Sequence, residues 1–278
     1  MTRLKNSDIH RISSSLSQYD HHLKLATGHS LLGVACHASG IDKEEFIKKI
    51  EGFSLHVIPV TAGQGIITDF SETVGAVLKY SGVNVQVANV SDTSGLASAF
   101  ENSADAVMMA DDNRFVGINL HTRQVVDNSA ATGSVFAAAL DLMAGGIKNK
   151  PVLVMGCGPV GREGAKFLIR MGARVSLYDI EPGAAISFKK KLSKEFNNAQ
   201  IHVVKEWVSS ISKYPYILEA TPSKRTIPDE LIKESLMVSA PGVPSGISKN
   251  GCKMMKNRLV HDKLQLGVTA MAVNLVLS

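Results

Sequence analysis

The sequence predicts an α/β protein: a doubly wound parallel sheet in the C-terminal half, preceded by a smaller α/β domain with leading helices. Three observations carry this. Residues 151–180 hold an apolar strand, a glycine-punctuated turn, a helix and a second strand closed by an acidic residue. Over residues 54–109, short apolar runs alternate with helical patterns, as parallel βαβ units require. Hydrophobic residues make up 45% and aromatic residues only 5%, with 23 Gly. Such small side chains suit helices packed closely on sheets.

The same composition excludes other classes. A chain this apolar is not disordered. No uncharged apolar run reaches the roughly 18 residues that read as a membrane span. The leading MTRLKNSDIH lacks an apolar core, so no secretory leader is expected and the cytoplasm is the default location. Cys36, Cys157 and Cys252 are far apart and odd in number, which speaks against a disulfide framework or a Cys-x-x-Cys metal site, and no metal is expected. The net charge of +5 is uneven. Residues 1–150 hold 12 Lys/Arg against 15 Asp/Glu, and the remainder 18 against 10. The one dense basic cluster, Lys189-Lys190-Lys191 with Lys194, has no aromatic platform beside it. It reads as a solvated helix face, and nucleic acid is not an expected partner.

Ile9, Ile12, Leu16, Tyr19 and Leu23 recur at steps of three and four, one stripe of an amphipathic helix. Phe46, Ile47 and Ile50 mark a second helix, with Asp42 as N-cap and Glu45 three residues on. The stretch 26–40 carries no clear period. SLHVIPV (54–60) is a strand, followed by the turn Thr61-Ala62-Gly63-Gln64-Gly65 and a helix through Val74 and Leu78. Strands at 83–88 and 104–109 flank a helix over 92–101, and Phe115–Leu120 is a further strand. Residues 130–145 form a long connecting helix capped by Asn128 or Ser129 and stopped at Gly145-Gly146. The domains are therefore 1–129, for substrate, and 130–278, for a dinucleotide.

In the second domain, Val152–Met155 runs into Gly156-Cys157-Gly158-Pro159-Val160-Gly161. This is the Rossmann pattern. Gly156 permits a tight turn, Gly158 lets backbone approach a pyrophosphate, and Gly161 allows close helix packing. The helix N-terminus offers free N–H groups to phosphate, and Pro159 loses no helical hydrogen bond in the first turn. Asp179 lies 18 residues past Gly161, at the end of the next strand, with Ile180 after it. A carboxylate there accepts from a ribose diol and repels a 2′-phosphate, so NAD is the expected cofactor. Further strands are expected at 201–204, 216–220, 236–239 and 258–261. Ala220-Thr221-Pro222 and Pro241 break the chain after two of them and join the cofactor contacts. The apolar final segment 263–277 is helical and can return to the first domain.

For chemistry, Asp111 and Asp112 are the attractive carboxylates, because they follow a strand at its carboxyl end, where open parallel sheets bind ligands. Turn formation is the other reading. His121, Arg123 and Asp127 form a polar cluster that local pairing explains, and His261-Asp262 resembles the cap of the last helix.

Four segments together resemble one family: IPVTAGQGIITDFSETV (58–74), MADDNRF (109–115), INLHTRQVVDNSAATGSVFAAALDLMAGG (118–146) and PVLVMGCGPVGREGAKFL (151–168). They resemble the pyrroline-forming enzymes of pyrrolysine biosynthesis, the PylD family. The resemblance implies NAD-dependent oxidation of the terminal amine carbon of L-lysine-Nε-3R-methyl-D-ornithine, ammonia loss and ring closure. It implies substrate contacts at Thr61, Ala62, Ala110 and Asp111, with Ile12 contributing from the first helix. Asp111 takes the catalytic role, holding the substrate ammonium and receiving or relaying its proton. A homodimer is implied by the resemblance and agrees with the apolar terminal helices. Two other readings compete: another NAD-dependent amino-acid or shikimate-type dehydrogenase, for which no first-domain lysine is well placed, and a non-enzymatic NAD sensor, for which no basic recognition helix is evident.

Overall fold

The structure is a computed structural model that describes residues 4–278; the first three residues of the polar leading stretch lie outside it. The chain opens with helices α1 (Asn6–Ile9), α2 (Ile12–Thr27), α3 (Leu31–Ser39) and α4 (Lys43–Ile50). Then come β1 (Ser54–Ile58), α5 (Phe70–Tyr80), β2 (Asn84–Val87), α6 (Asp92–Glu101), β3 (Ala106–Ala110), β4 (Phe115–Asn119) and β5 (Val125–Asp127). Helix α7 (Asn128–Met143) leads to β6 (Pro151–Met155), α8 (Pro159–Arg170), β7 (Arg174–Tyr178), α9 (Pro182–Glu195) and β8 (Ile201–Val203). The remaining elements are α10 (Trp207–Ser210), β9 (Tyr216–Glu219), β10 (Met237–Ser239), α11 (Lys249–Met255), β11 (Leu259–Val260) and α12 (Gln265–Leu277). Among the described residues no helix is long and apolar enough to cross a membrane.

The chain divides into two compact units. The first comprises residues 1–21, 30–131 and 263–278; the second comprises 22–29 and 132–262.

The first unit holds a five-stranded sheet of order β2-β1-β3-β4-β5. β1 pairs in parallel with β2 and β3, so the sequence's βαβαβ reading corresponds to real neighbours. β4 and β5 run antiparallel as a hairpin on β3, and β5 occupies residues that the sequence leaves as a polar linker. The run Arg123-Gln124-Val125-Val126-Asp127 has two adjacent valines and no alternation to announce a strand; pairing with β4 supplies what the local pattern lacks. The expected single N-terminal helix is broken between Ile9 and Ile12, yet Ile9, Ile12, Leu16 and Leu23 are all buried. The stretch without period is α3. Ser30 caps it by accepting from the Gly33 N–H at 3.2 Å, and Gly40 ends it at φ 68°. Helix α12 is buried almost throughout, and its side chains meet this unit through Ser81 Oγ to Thr269 Oγ1 (3.1 Å) and Ser39 Oγ to Asn274 Oδ1 (2.8 Å). Gly117 on β4 makes room for it: a Cβ there would lie 2.6 Å from Leu275 Cδ1.

The second unit holds a six-stranded, wholly parallel sheet of order β11-β10-β9-β6-β7-β8. This is the Rossmann strand order, and it reverses direction between β6 and β9. Strand interiors such as Leu153, Val154, Leu177, Ile217 and Val238 are fully buried, as strands covered on both faces must be. Three local expectations need correction. Asp127, not Asn128 or Ser129, caps α7, its Oδ1 accepting from the Ser129 N–H at 2.9 Å. The last strand is only Leu259–Val260, because Lys256–Arg258 coil into a 3-10 turn. His261 does not cap α12, which begins at Gln265; His261 Nδ1 instead lies 2.7 Å from the Ala240 carbonyl.

Candidate active site

Each sheet presents its carboxyl edge as a set of loops, and the two are built differently. In the first unit the loop after β1 is the glycine turn 61–65. Its conformation needs two left-handed glycines, Gly63 at φ 74° and Gly65 at φ 80°. Asp92, at the start of α6, grips the turn. The Thr61 N–H donates to its Oδ1 at 2.8 Å and the Thr61 hydroxyl to its Oδ2 at 2.6 Å. Asp92 itself is held at φ 54°, a left-handed conformation uncommon outside glycine. The Thr61 hydrogen bonds draw its carboxyl below the usual aspartate value.

The loop after β3 sets the two neighbouring carboxylates to different tasks. Asp111 Oδ1 accepts from the backbone N–H groups of Asn113 (2.8 Å) and Arg114 (2.7 Å), which leaves Oδ2 outside that turn on an exposed side chain. Those bonds, Arg114 first, hold its pKa below the ordinary value. Asp112 turns to the glycine loop, its Oδ2 accepting from the Gln64 N–H at 2.7 Å. A Cβ on Gly63 would collide with that carboxylate. Asp112 is therefore the brace between the loops, and Asp111 is the carboxylate that is presented. Turn formation, one of the two readings of this loop made from sequence, is found at Asp111 itself, and the same turn orients its other oxygen. Thr61 and Ala62 are exposed and Ala110 is half-buried at the same edge.

In the second unit the glycine loop joins β6 to α8. Gly156 has φ 93°, and a Cβ on it would lie 2.7 Å from the Ala220 carbonyl oxygen. A Cβ on Gly161 would run into the Gly156 carbonyl. Beside Gly158, by contrast, no atom lies within 4 Å of where a Cβ would sit. The loop is thus closed where it packs and open where a phosphate would approach. Pro159 starts α8, and no side chain caps the Gly158 N-cap position, so the helix N-terminus faces outward with its own N–H groups. Val160 is half-buried, and its carbonyl lies where a Cβ on Gly133 would go. Asp179 Oδ2 accepts from the Cys157 N–H at 2.7 Å and Oδ1 from the Glu181 N–H at 2.9 Å, which fixes the carboxylate beside the loop. Ile180, next to it, is 82% exposed. Burial, with Asp179 adding, pushes the Cys157 thiol up to about 12, so it is a packed neutral side chain. Ala220, Thr221 and Pro222 follow β9 at the point of strand-order reversal, and Pro241 follows β10. These residues fit a dinucleotide: an open glycine, an uncapped helix start and an acidic strand end are what its pyrophosphate and ribose require.

The family profile described as "Pyrrolysine biosynthesis protein PylD, N-terminal domain" matches residues 8–126, and that described as "Alanine dehydrogenase/PNT, C-terminal domain" matches residues 126–261. The chain is 30% identical to pyrrolysine synthase of Methanosarcina acetivorans, over 99% of this chain and 100% of the relative. The chain belongs to the pyrrolysine synthase family. The pyrrolysine synthase of Methanosarcina barkeri is likewise 30% identical, over 98% of this chain and 97% of that one. Among solved structures, quinate dehydrogenase from Corynebacterium glutamicum in complex with NAD superposes with a TM-score of 0.55 at 13% identity, covering 81% of this chain and 93% of that chain. At that identity the likeness is one of fold. By these comparisons the chain is a member of the pyrrolysine synthase family whose fold is shared with a solved dehydrogenase.

Within this family member, Ile12 stands apart from the other expected contacts: it is only 6% exposed and lies in the core stripe with Ile9 and Leu16. His121 pairs with Asp105 at 2.7 Å and Arg114 with Asp127 at 3.2 Å, so the polar cluster after β4 is spent on local pairs. Two residues escape sequence reasoning. Asp92 reads as an ordinary helix-start acid, and only its distance to Thr61, 31 positions away, gives it a task. Glu219 is a charge closing the otherwise apolar strand YILE, a signal that was legible as an anomaly.

Proposed function

We propose that the protein forms the pyrroline ring of pyrrolysine from L-lysine-Nε-3R-methyl-D-ornithine. The carbon bearing the terminal amine of the methylornithine part loses a hydride and its nitrogen a proton. Water hydrolyses the imine, ammonia leaves, and the semialdehyde condenses with the α-amine, returning the water. Bound NAD supplies the hydride acceptor. In this reading residues 1–129 bind substrate through Thr61, Ala62, Ala110 and Asp111, and residues 130–278 bind NAD.

The observation that carries the reading is the Asp111 carboxylate, ionised by its backbone donors and presented through Oδ2. An ammonium cannot lose hydride from its carbon without a second positive charge developing. A fixed anion next to the nitrogen favours the iminium as it forms. Because its pKa is drawn down, Asp111 acts better as counter-ion than as proton store, and the proton is relayed onward. For the cofactor, Gly156 to Gly161 and the start of α8 hold the pyrophosphate, Asp179 accepts from the adenosine ribose, and Ile180 offers an apolar cover for the adenine. Asp179 favours NAD over NADP.

The test is to supply the lysine–methylornithine conjugate and NAD, and to follow NADH with mass spectrometry of the product. A product lighter than substrate by ammonia and two hydrogens is expected. NADH formation with any other product would reject the substrate assignment, and formation of neither NADH from NAD nor NADPH from NADP would reject the reaction.

A further inference from the structure

Glu219 closes β9 and pairs in register with Met155, the last residue of the strand before the glycine loop. Its residue is fully buried, 0% exposed. Oε1 accepts from the Thr221 N–H at 3.1 Å and from the Thr221 hydroxyl. Oε2 makes no hydrogen bond of normal geometry. It is pressed instead against the loop that follows β10. A Cβ on Gly242 would lie 3.0 Å from it, and one on Gly246 would lie 2.6 Å from both Oε2 and the carboxyl carbon. The two loops are joined again beyond this point, where the Ile227 N–H donates to the Gly246 carbonyl at 3.0 Å.

A buried carboxyl is costly to keep unless it does something the apolar alternative cannot. Here the groups that favour its charged form are the neutral donors of Thr221, Thr226 and Gly246, while burial, the largest effect, raises its pKa. What the side chain does is accept from Thr221 on one loop while lying against Gly242 and Gly246 on the other, at the point of strand-order reversal where α/β sheets take their ligands.

We propose that Glu219 is a positioning residue for the dinucleotide: its carboxyl ties the 221–226 loop to the 242–246 loop and so fixes the backbone that receives the cofactor. The inference rests on the NAD reading above. Gly242 and Gly246 border the carboxyl without being required by it alone: a Cβ on Gly242 would first meet the Thr221 carbonyl, and one on Gly246 the Thr226 hydroxyl.

The experiment measures the NAD dissociation constant, with kcat and KM for NAD, in the full chain carrying E219Q, E219A and E219D. Gln keeps the Oε1 acceptor and the volume. E219Q is expected to stay within about threefold of wild type, whereas E219A weakens NAD binding by about tenfold or more, with KM for NAD rising more than kcat falls. E219D, which retracts the carboxyl by one methylene, is expected to fall with E219A, and it carries the test should E219A not fold. Wild-type affinity in E219A or E219D overturns the proposal. So does an E219Q as weak as E219A, because the charge rather than the acceptor would then matter. A wild-type chain that binds neither NAD nor NADP would overturn the cofactor reading, and this inference with it.

Discussion

Asp92 holds Thr61 by accepting two hydrogen bonds, one from its backbone N–H at 2.8 Å and one from its hydroxyl at 2.6 Å, across 31 positions of sequence. The grip closes the turn that follows β1, and Asp92 N–H in turn donates to the Pro59 carbonyl at 2.9 Å. A left-handed aspartate at φ 54° is retained only where the surroundings hold it there. D92A is therefore expected to raise KM for the substrate by about tenfold while leaving NAD affinity unchanged, since it releases the turn without touching the second unit. Steady-state kinetics with each substrate varied in turn checks this. Equal losses in both parameters would count against it.

Asp111 leads to a prediction about pH. Its folded pKa lies below the ordinary aspartate value through the Arg114 and Asn113 N–H groups. A depressed pKa means the carboxylate is present above the unfolded value and is lost only as pH falls through the folded one. An acid limb in kcat/KM that belongs to Asp111 must therefore fall below the ordinary carboxylate range. A limb near 6 or 7 would belong to another group. D111A is expected to lower turnover at least about 100-fold with the fold intact by circular dichroism. D111N removes only the charge and is expected to share most of that loss.

How far these groups can be read from sequence differs by kind. The Rossmann loop is local: strand, three glycines, helix and Asp179 lie within 30 residues, although the crowding at Gly156 comes from Ala220, which follows β9. The Asp111 turn is local too, since its donors are two and three positions away. Asp92 acts on a residue 31 positions away, and Glu219, though bonded to Thr221 two residues on, meets the 242–246 loop only through the fold, so no window shows those partners. Strand β5 was missed for the same reason, because only the pairing of Val126 with Gly117 makes it a strand. The break between α1 and α2 is hidden by a stripe that continues across it: Ile9 and Ile12 are buried on either side.

Asp179 makes a prediction about cofactor choice. Its Oδ2 is fixed by the Cys157 N–H and its Oδ1 by the Glu181 N–H, so the carboxylate cannot swing away from an incoming 2′-phosphate. In the proposed binding mode, like charge at that position is expected to disfavour NADP. D179S is expected to narrow the NAD-to-NADP preference by at least about tenfold, mostly through gain with NADP. Comparing kcat/KM for the two nucleotides decides it. An unchanged ratio would mean that another group reads the ribose.

The glycine loop separates packing from binding within four residues, and a pair of alanine substitutions exposes the difference. At Gly161 a Cβ would meet the Gly156 carbonyl and stand 3.3 Å from Ala220 Cβ, both parts of the rigid sheet edge. Neither can yield without moving a strand end, so G161A is an overpacking change expected to cost about 1–3 kcal/mol of stability. At Gly158 nothing lies within 4 Å of the same position, and the backbone there is at φ −71°, open to any residue. G158A is therefore expected to melt like the parent chain. Its methyl instead enters the space a pyrophosphate would use, so NAD binding is expected to weaken by about tenfold or more. Denaturant unfolding and NAD titration on both variants test this. G158A that binds NAD normally would show that the phosphate approaches elsewhere, and G161A that unfolds normally would show that the helix start can shift.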